Sequence, residues 1–295
     1  MLTIQFSRLS PTKLYADIAN LLFLLRCDKL RSKFKKKKEG GMKVETVKTR
    51  VVRAGEISIQ KLLAESLSTE NLPEKSVVVI SSKVVALCEN RVVKIGDIDK
   101  EELIKQESDF YIDADFSEHG YHFTIKYGSL SASAGIDESN GDNNYVLWPV
   151  DSQKSANEIR AFLSRKFDRK DIGVVIADST SYPLRRGTVG IMVAWSGFRA
   201  LKDWRGKPDL FGRNFNVSVQ AIGNNLAIAG NLVMGEGDEQ TPIAVISNVP
   251  FVEFQNNDPT PDEIKETFVS RSEDLYAPFL NLAPWIEGGG GYKAP

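Results

Sequence analysis

The sequence predicts an α+β fold, with mixed sheets and packed helices. Three observations carry that prediction. Segments of strand length and segments of helical periodicity alternate irregularly, with no strict βαβ repeat. The strand-like run at residues 173–177 is apolar throughout, as expected where both faces of a sheet are covered. After Met42 there is no internal repeat and no Pro/Gly/Ser-rich linker, so the elements belong to one packed body.

The elements follow in order. Ile57, Ile59, Leu62, Leu63 and Leu67 recur at helical spacing and predict a short helix beginning near Gly55-Glu56. "SVVVISSK" (76–83) reads as a strand ending in hydroxyls and a lysine, and "NRVVKI" (90–95) as its neighbour. "ELIKQES" (102–108) reads as a short helix. Ser155 and Glu158 have capping-box spacing ahead of Ile159, Phe162, Leu163 and Phe167. "GVVIA" (173–177) and "GTVGIMVAW" (187–195) read as strands, "NNLAIAGNLVM" (224–234) as a buried helix and "PIAVIS" (242–247) as a strand. Thr260-Pro261-Asp262-Glu263 is a helix start: Thr caps, Pro takes the first turn and Glu reaches back.

Composition bounds the function. The chain has 295 residues, 42% of them hydrophobic, enough for one large domain or two modest ones. Net charge is −1, which argues against a general nucleic-acid binder. Ten of the 38 Lys/Arg but only three of the 39 Asp/Glu fall within residues 1–41, which leaves an acidic remainder suited to divalent cations. The chain divides into a basic extension or leader (1–41), a main domain (42–254) and a C-terminal helix and tail packing on that domain (255–295). The apolar run at 18–25 is far shorter than the roughly 20 residues that span a bilayer, so no membrane anchoring is expected. Cys27 and Cys88 form no CxxC pair, which points to a reducing, cytoplasmic setting. His119 and His122 read as a polar turn, so any metal should be a hard, oxygen-bound ion.

Four places put oxygen ligands or phosphate-binding groups at the ends of apolar segments. Ser81-Ser82-Lys83 offers hydroxyls and a point charge for a phosphate. In "SAGIDESN" (133–140), Asp137 and Asn140 lie three apart, so one turn can aim both at one point; an Asx-rich turn fits equally. In "IADSTSYPLRRG" (176–187), Asp178 and Ser179 end a strand as a carboxylate–hydroxyl pair suited to Mg²⁺, with Arg185 able to neutralise transferring charge. In "MGEGDEQTP" (234–242), Glu236, Asp238 and Glu239 crowd between glycines, where a solvated loop and a cation site compete. There is no GxxxxGK[ST] P-loop. "EGGGGYK" (287–293) imitates one with no helix to follow, and reads as a flexible tail.

Taken together, "SSKVVALCENR" (81–91), "AGIDESN" (134–140), "DSTSYPLRRG" (178–187), "DWRGKPDLFGR" (203–213) and "GEGDEQTP" (235–242) resemble, in order, the motifs of the F-420-0:γ-glutamyl ligases. The resemblance runs from Val44 to Phe254. It implies the α+β fold of that family, a homodimer, GTP as co-substrate, two Mg²⁺ or Mn²⁺ ions and an assisting K⁺. It implies that Asp137 and Asp178 hold one metal, and Ser179 and Glu236 the other. Ser82, Lys83, Asn140 and the loop Met234, Gly235, Glu236, Gly237, Asp238, Glu239, Gln240 and Thr241 would cradle GTP. L-glutamate would be joined to F-420-0 or a related carboxylate through an acyl phosphate, with Lys83 and Arg185 as charge-neutralising catalytic groups. Departures from the family pattern fall at Leu87, Ser181, Tyr182 and Leu184, and in the stretch 48–52. They leave the acceptor open.

Overall fold

The computed structural model describes residues 41–291; the basic extension, Cys27 and the last four residues lie outside the described residues. The central sheet combines β1 (Lys43–Val47), β2 (Ser76–Ser81), β8 (Ile172–Ser181), β9 (Thr188–Ser196) and β12 (Ile243–Ser247), in the order β1-β12-β2-β8-β9. Its neighbours are antiparallel except β2 and β8, which run parallel with Ser81 beside Ala177. β2 alternates its side chains between two cores. Val78 and Ile80 pack with α1 (Ile59–Ser66) and α4 (Ser152–Phe167) on one face. Val77 and Val79 pack with α5 (Ile222–Met234) on the other. This is why the runs 77–80 and 173–177 carry no polar position: each strand is covered twice.

The chain between β2 and β8 builds a second, smaller region. It comprises α2 (Ser82–Cys88), β3 (Val92–Lys94), α3 (Lys100–Glu107), β4 (Phe110–Ile112), β5 (Phe123–Lys126), β6 (Ser129–Ala132) and β7 (Asn144–Val146). β4, β5 and β6 form an antiparallel sheet completed by β13 (Ile286–Glu287). A short hairpin of β10 (Leu201–Asp203) and β11 (Val219–Ala221) projects from the body, and α6 (Pro261–Thr267) and α7 (Ala277–Leu280) precede β13.

Most elements fall where the periodicity puts them, including the Thr260/Glu263 capping box. Four expectations change. Residues 90–95 do not pair with β2, whose two edges are taken by β12 and β8; β3 pairs with β7 instead. Lys83 does not end a strand but stands in the first turn of α2, which starts at once after β2. The cap of α4 is Asp151, which accepts from the Lys154 amide, whereas the Ser155 hydroxyl donates to Glu89. The glycine run is not a loose tail. The amides of Gly288 and Gly289 donate to Asp109 and Lys105 carbonyls, closing the end of α3, and added Cβ atoms would collide with backbone oxygens there.

Candidate active site

The site is assembled at one edge of the central sheet, where the parallel strands β2 and β8 both end. Ligand crevices in such sheets open beyond the carboxyl ends of parallel strands. β2 passes into α2, placing Lys83 one turn in. β8 continues beyond its parallel partner to deliver Asp178 and Ser179. A register shift between Ile176 and Ala177 opposite β9 re-aims the strand just before Asp178. α5 lies close enough to bring its last turn alongside, because Gly190 and Gly230 leave room: a Cβ on Gly190 would stand 2.5 Å from the Ala227 carbonyl oxygen.

Three linked groups face a cavity of about 580 Å³. In the first, Lys83 Nζ pairs with Asp137 Oδ2 at 2.6 Å and donates to Ser139 Oγ at 2.9 Å. In the second, the Ser179 hydroxyl donates to Glu236 Oε1 at 2.7 Å, and Asn231 Nδ2 donates to both oxygens at 3.2 Å. In the third, Asp178 accepts from the Trp148 indole, with the Ser82 hydroxyl and the Ser179 amide as further donors. The loop 234–242 closes the cavity. Asn140 Nδ2 donates to the Gly237 carbonyl at 2.9 Å, Thr241 Oγ1 donates to the Met234 carbonyl at 2.7 Å, and the Gly237 amide donates to Glu239 at 2.9 Å.

The two aspartates are tuned in opposite directions. Burial raises the Asp178 carboxyl, and the nearby Asp137 charge adds to this; the Trp148, Ser179 and Ser82 hydrogen bonds offset it only in part. Partial burial also pushes Asp137 up, but the Lys83 ammonium and the Ser139 amide outweigh it and hold Asp137 below its ordinary value. Cys88, the only cysteine among the described residues, is free; burial, with the Glu89 charge, pushes its thiol up to about 12, so it is no nucleophile at neutral pH.

The structure brings together Lys83, Asp137, Asn140, Asp178, Ser179, Met234, Gly235, Glu236, Gly237, Asp238, Glu239, Gln240 and Thr241, all of which line the cavity. Ser82 is buried behind it, against Asp178. Arg185 is not brought in: it sits at the exposed tip of the β8–β9 hairpin, and its guanidinium donates to the Leu184 carbonyl. Arg205 pairs with Asp203, whose carboxyl it holds at about 2, and lysines 202 and 207, not arginines, lie over Trp204. His119 is exposed and His122 is buried beside Tyr111.

Sequence reasoning missed four contributors. Trp148 has no motif around it. Asn231 left a faint signal, a lone amide inside an apolar helix. Arg50 and Arg53 line the mouth although their stretch lies outside the quoted motifs.

Among the described residues no three His, Cys, Asp or Glu side chains form a ready cation cage. The donor set nonetheless fits hard divalent ions. It is all oxygen, it comes as two carboxylate-bearing pairs, and Mg²⁺ takes only one or two carboxylates while waters and phosphates fill the rest. Asp178 in particular is a partly buried acid answered only by neutral donors.

The profile described as "F420-0:Gamma-glutamyl ligase" matches residues 46–248, more than half of the chain and every segment that builds this cavity. The chain belongs to the F420-0:gamma-glutamyl ligase family. Curated relatives agree. "Coenzyme F420:L-glutamate ligase" of Methanococcus maripaludis is 34% identical over 229 residues, covering 72% of this chain and 90% of the relative. The enzyme of that name from Methanopyrus kandleri is 34% identical over 217 residues (66% and 82%), and that from Halorubrum lacusprofundi 31% over 223 (68% and 86%). As a member of this ligase family, the chain is an amide-bond-forming enzyme. No helix among the described residues is long and apolar enough to cross a membrane.

Proposed function

We propose that this protein joins L-glutamate to a carboxylate acceptor, F-420-0 or a close relative, using GTP and divalent metal. The observation that carries the reading is the convergence of Lys83–Asp137, Asp178 and Ser179–Glu236 on one cavity of about 580 Å³, a size that suits a nucleotide.

In this reading the γ-phosphoryl group of GTP passes to an acceptor carboxylate oxygen; the bond to GDP breaks and an acyl phosphate forms. The glutamate amine then attacks the carbonyl carbon, the C–N bond forms, the amine loses a proton to solvent and inorganic phosphate leaves. Asp137 with Asp178, and Ser179 with Glu236, would hold Mg²⁺ or Mn²⁺, which neutralises phosphate charge. Lys83, one turn into α2, sets a fixed cation beside Asp137 and neutralises the developing charge on the transferred group. Asn140 ties the glycine-bearing loop 234–242 over the nucleotide through Gly237. K⁺ is expected to assist, without a residue assigned to it. The protein is read as cytoplasmic and homodimeric. The almost fully exposed Leu184, Leu210 and Phe211, on two projecting hairpins, favour a second copy of the chain as their cover.

The test is direct. Purified protein with GTP, Mn²⁺, L-glutamate and F-420-0 should release phosphate and yield a product heavier by one glutamyl residue. Absence of phosphate release across a panel of carboxylate acceptors would sink the ligase mechanism. Turnover with other acceptors but not F-420-0 would reassign the substrate.

A further inference from the structure

Trp148 lies behind the cavity wall, not in it. The ring is 3% exposed and its Nε1–H donates to Asp178 Oδ2. Gly135 keeps the indole in place. Its φ is +70°, and a Cβ there would stand 2.2 Å from Trp148 Nε1, so a side chain would displace the very atom that holds Asp178. Behind the ring stands an ionic cluster. The Lys126 ammonium, 1% exposed, lies 5.9 Å from the Trp148 ring centroid, within cation–π range, and Tyr127 stacks on Trp148 at 6.4 Å. Lys126 pairs with Glu107, which also receives Arg91 at 2.6 Å. None of these three charged residues lines the cavity. The chain therefore runs from a buried ion cluster, through an aromatic ring, to one oxygen of a single carboxylate.

We propose that Trp148 is the positioning residue for Asp178: its indole N–H holds Oδ2 and so sets the orientation in which the carboxylate meets a divalent cation, while Lys126, Glu107 and Arg91 fix the ring from behind. The inference rests on the reading of Asp178 as a metal ligand. A carboxylate held by a buried, braced donor is presented in one orientation, and loss of such a support costs metal affinity even though the ligand itself remains.

The experiment uses the full chain and two readouts. The first is metal-free: the four tryptophans give four indole ¹⁵N–¹H signals. Trp148 is assigned by the loss of its signal in Trp148→Phe or, should that variant not fold, by replacing the other three in turn. Asp178→Asn should move the Trp148 signal most, because a neutral amide is a weaker acceptor. The second is Mn²⁺ calorimetry. Trp148→Phe should bind about 10-fold more weakly than the unaltered protein, and Trp148→His, which keeps a ring N–H, should recover part of the loss. An unmoved Trp148 signal in Asp178→Asn would overturn the proposal. So would Mn²⁺ affinity in folded Trp148→Phe equal to that of the unaltered protein, with the metal reading left intact. If the unaltered protein bound no Mn²⁺, the metal reading would fail and the proposal with it.

Discussion

Glu107 and Asp178 are both acids withdrawn from solvent, but they are answered differently. Glu107 has no exposed surface and meets two cations, Arg91 and Lys126. Asp178 lies on the cavity and meets neutral donors, the Trp148 indole, the Ser82 hydroxyl and the Ser179 amide; among the described residues no lysine or arginine pairs with it. A buried acid whose charge is balanced within the chain holds structure together. A buried acid balanced only by dipoles, and open on one side, can take its cation from outside. The same functional group thus stands in two different settings, and its partners distinguish them.

The predictions break or sharpen that contrast. The largest effect belongs to Asp178. Asp178→Asn should lower turnover by about 10²–10³-fold and abolish one Mn²⁺ equivalent, with little change in melting temperature, measured by phosphate release and calorimetry. Glu107→Gln should do the reverse. It removes the carboxylate that answers buried Lys126 and pairs with Arg91, so it should cost about 3–5 kcal/mol in denaturant unfolding while the Mn²⁺ stoichiometry of folded protein stays the same. If Glu107→Gln removed metal and left stability intact, the assignment of roles would be backwards.

Lys83→Ala comes next. It removes the cation beside Asp137, so GTP affinity should fall by about tenfold or more in a binding titration, and the Asp137 carboxyl should rise toward its ordinary value. A carboxyl titration of metal-free protein should separate the two aspartates about their shared ordinary value of 3.8. Asp137, held below that value, contributes stability that is present above pH 3.8 and lost as pH falls through its folded pKa. Asp178, raised above 3.8, works the other way: its ionisation in a partly buried site costs stability as pH rises through its folded pKa. Added Mg²⁺ should abolish that alkaline-side loss. The smallest effect is expected at Arg185, which is exposed and whose guanidinium donates to the adjacent Leu184 carbonyl. Arg185→Ala should change stability by less than about 0.5 kcal/mol, and a large drop in turnover would restore it as a charge clamp.

Much of the fold could be read from the residues. The doubly covered strands β2 and β8 were visible because an unbroken apolar run has only one comfortable home, and α5 and α6 because spacing and capping chemistry are local. The small elements of residues 90–150 were less legible. Three-residue strands such as β3, β4 and β7 carry too little pattern to announce their partners. The glycine run at 288–291 misled for a related reason: its role depends on the carbonyls at the end of α3, nearly two hundred residues away in sequence.

The same division holds for the site. The sequence by itself determined the ligand chemistry: hard oxygen donors, a lysine and glycine-bearing loops, each at the end of an apolar segment, because such motifs are local and their residue types speak for themselves. Only the tertiary structure decided who stands next to whom. It paired Lys83 with Asp137, bonded Ser179 to Glu236 with Asn231 donating to both, left Arg185 at an exposed tip, and set Trp148 behind Asp178. Those choices follow from the parallel register of β2 and β8, the register shift before Asp178 and the close seat of α5, all of which are long-range packing outcomes that no short stretch of residues encodes.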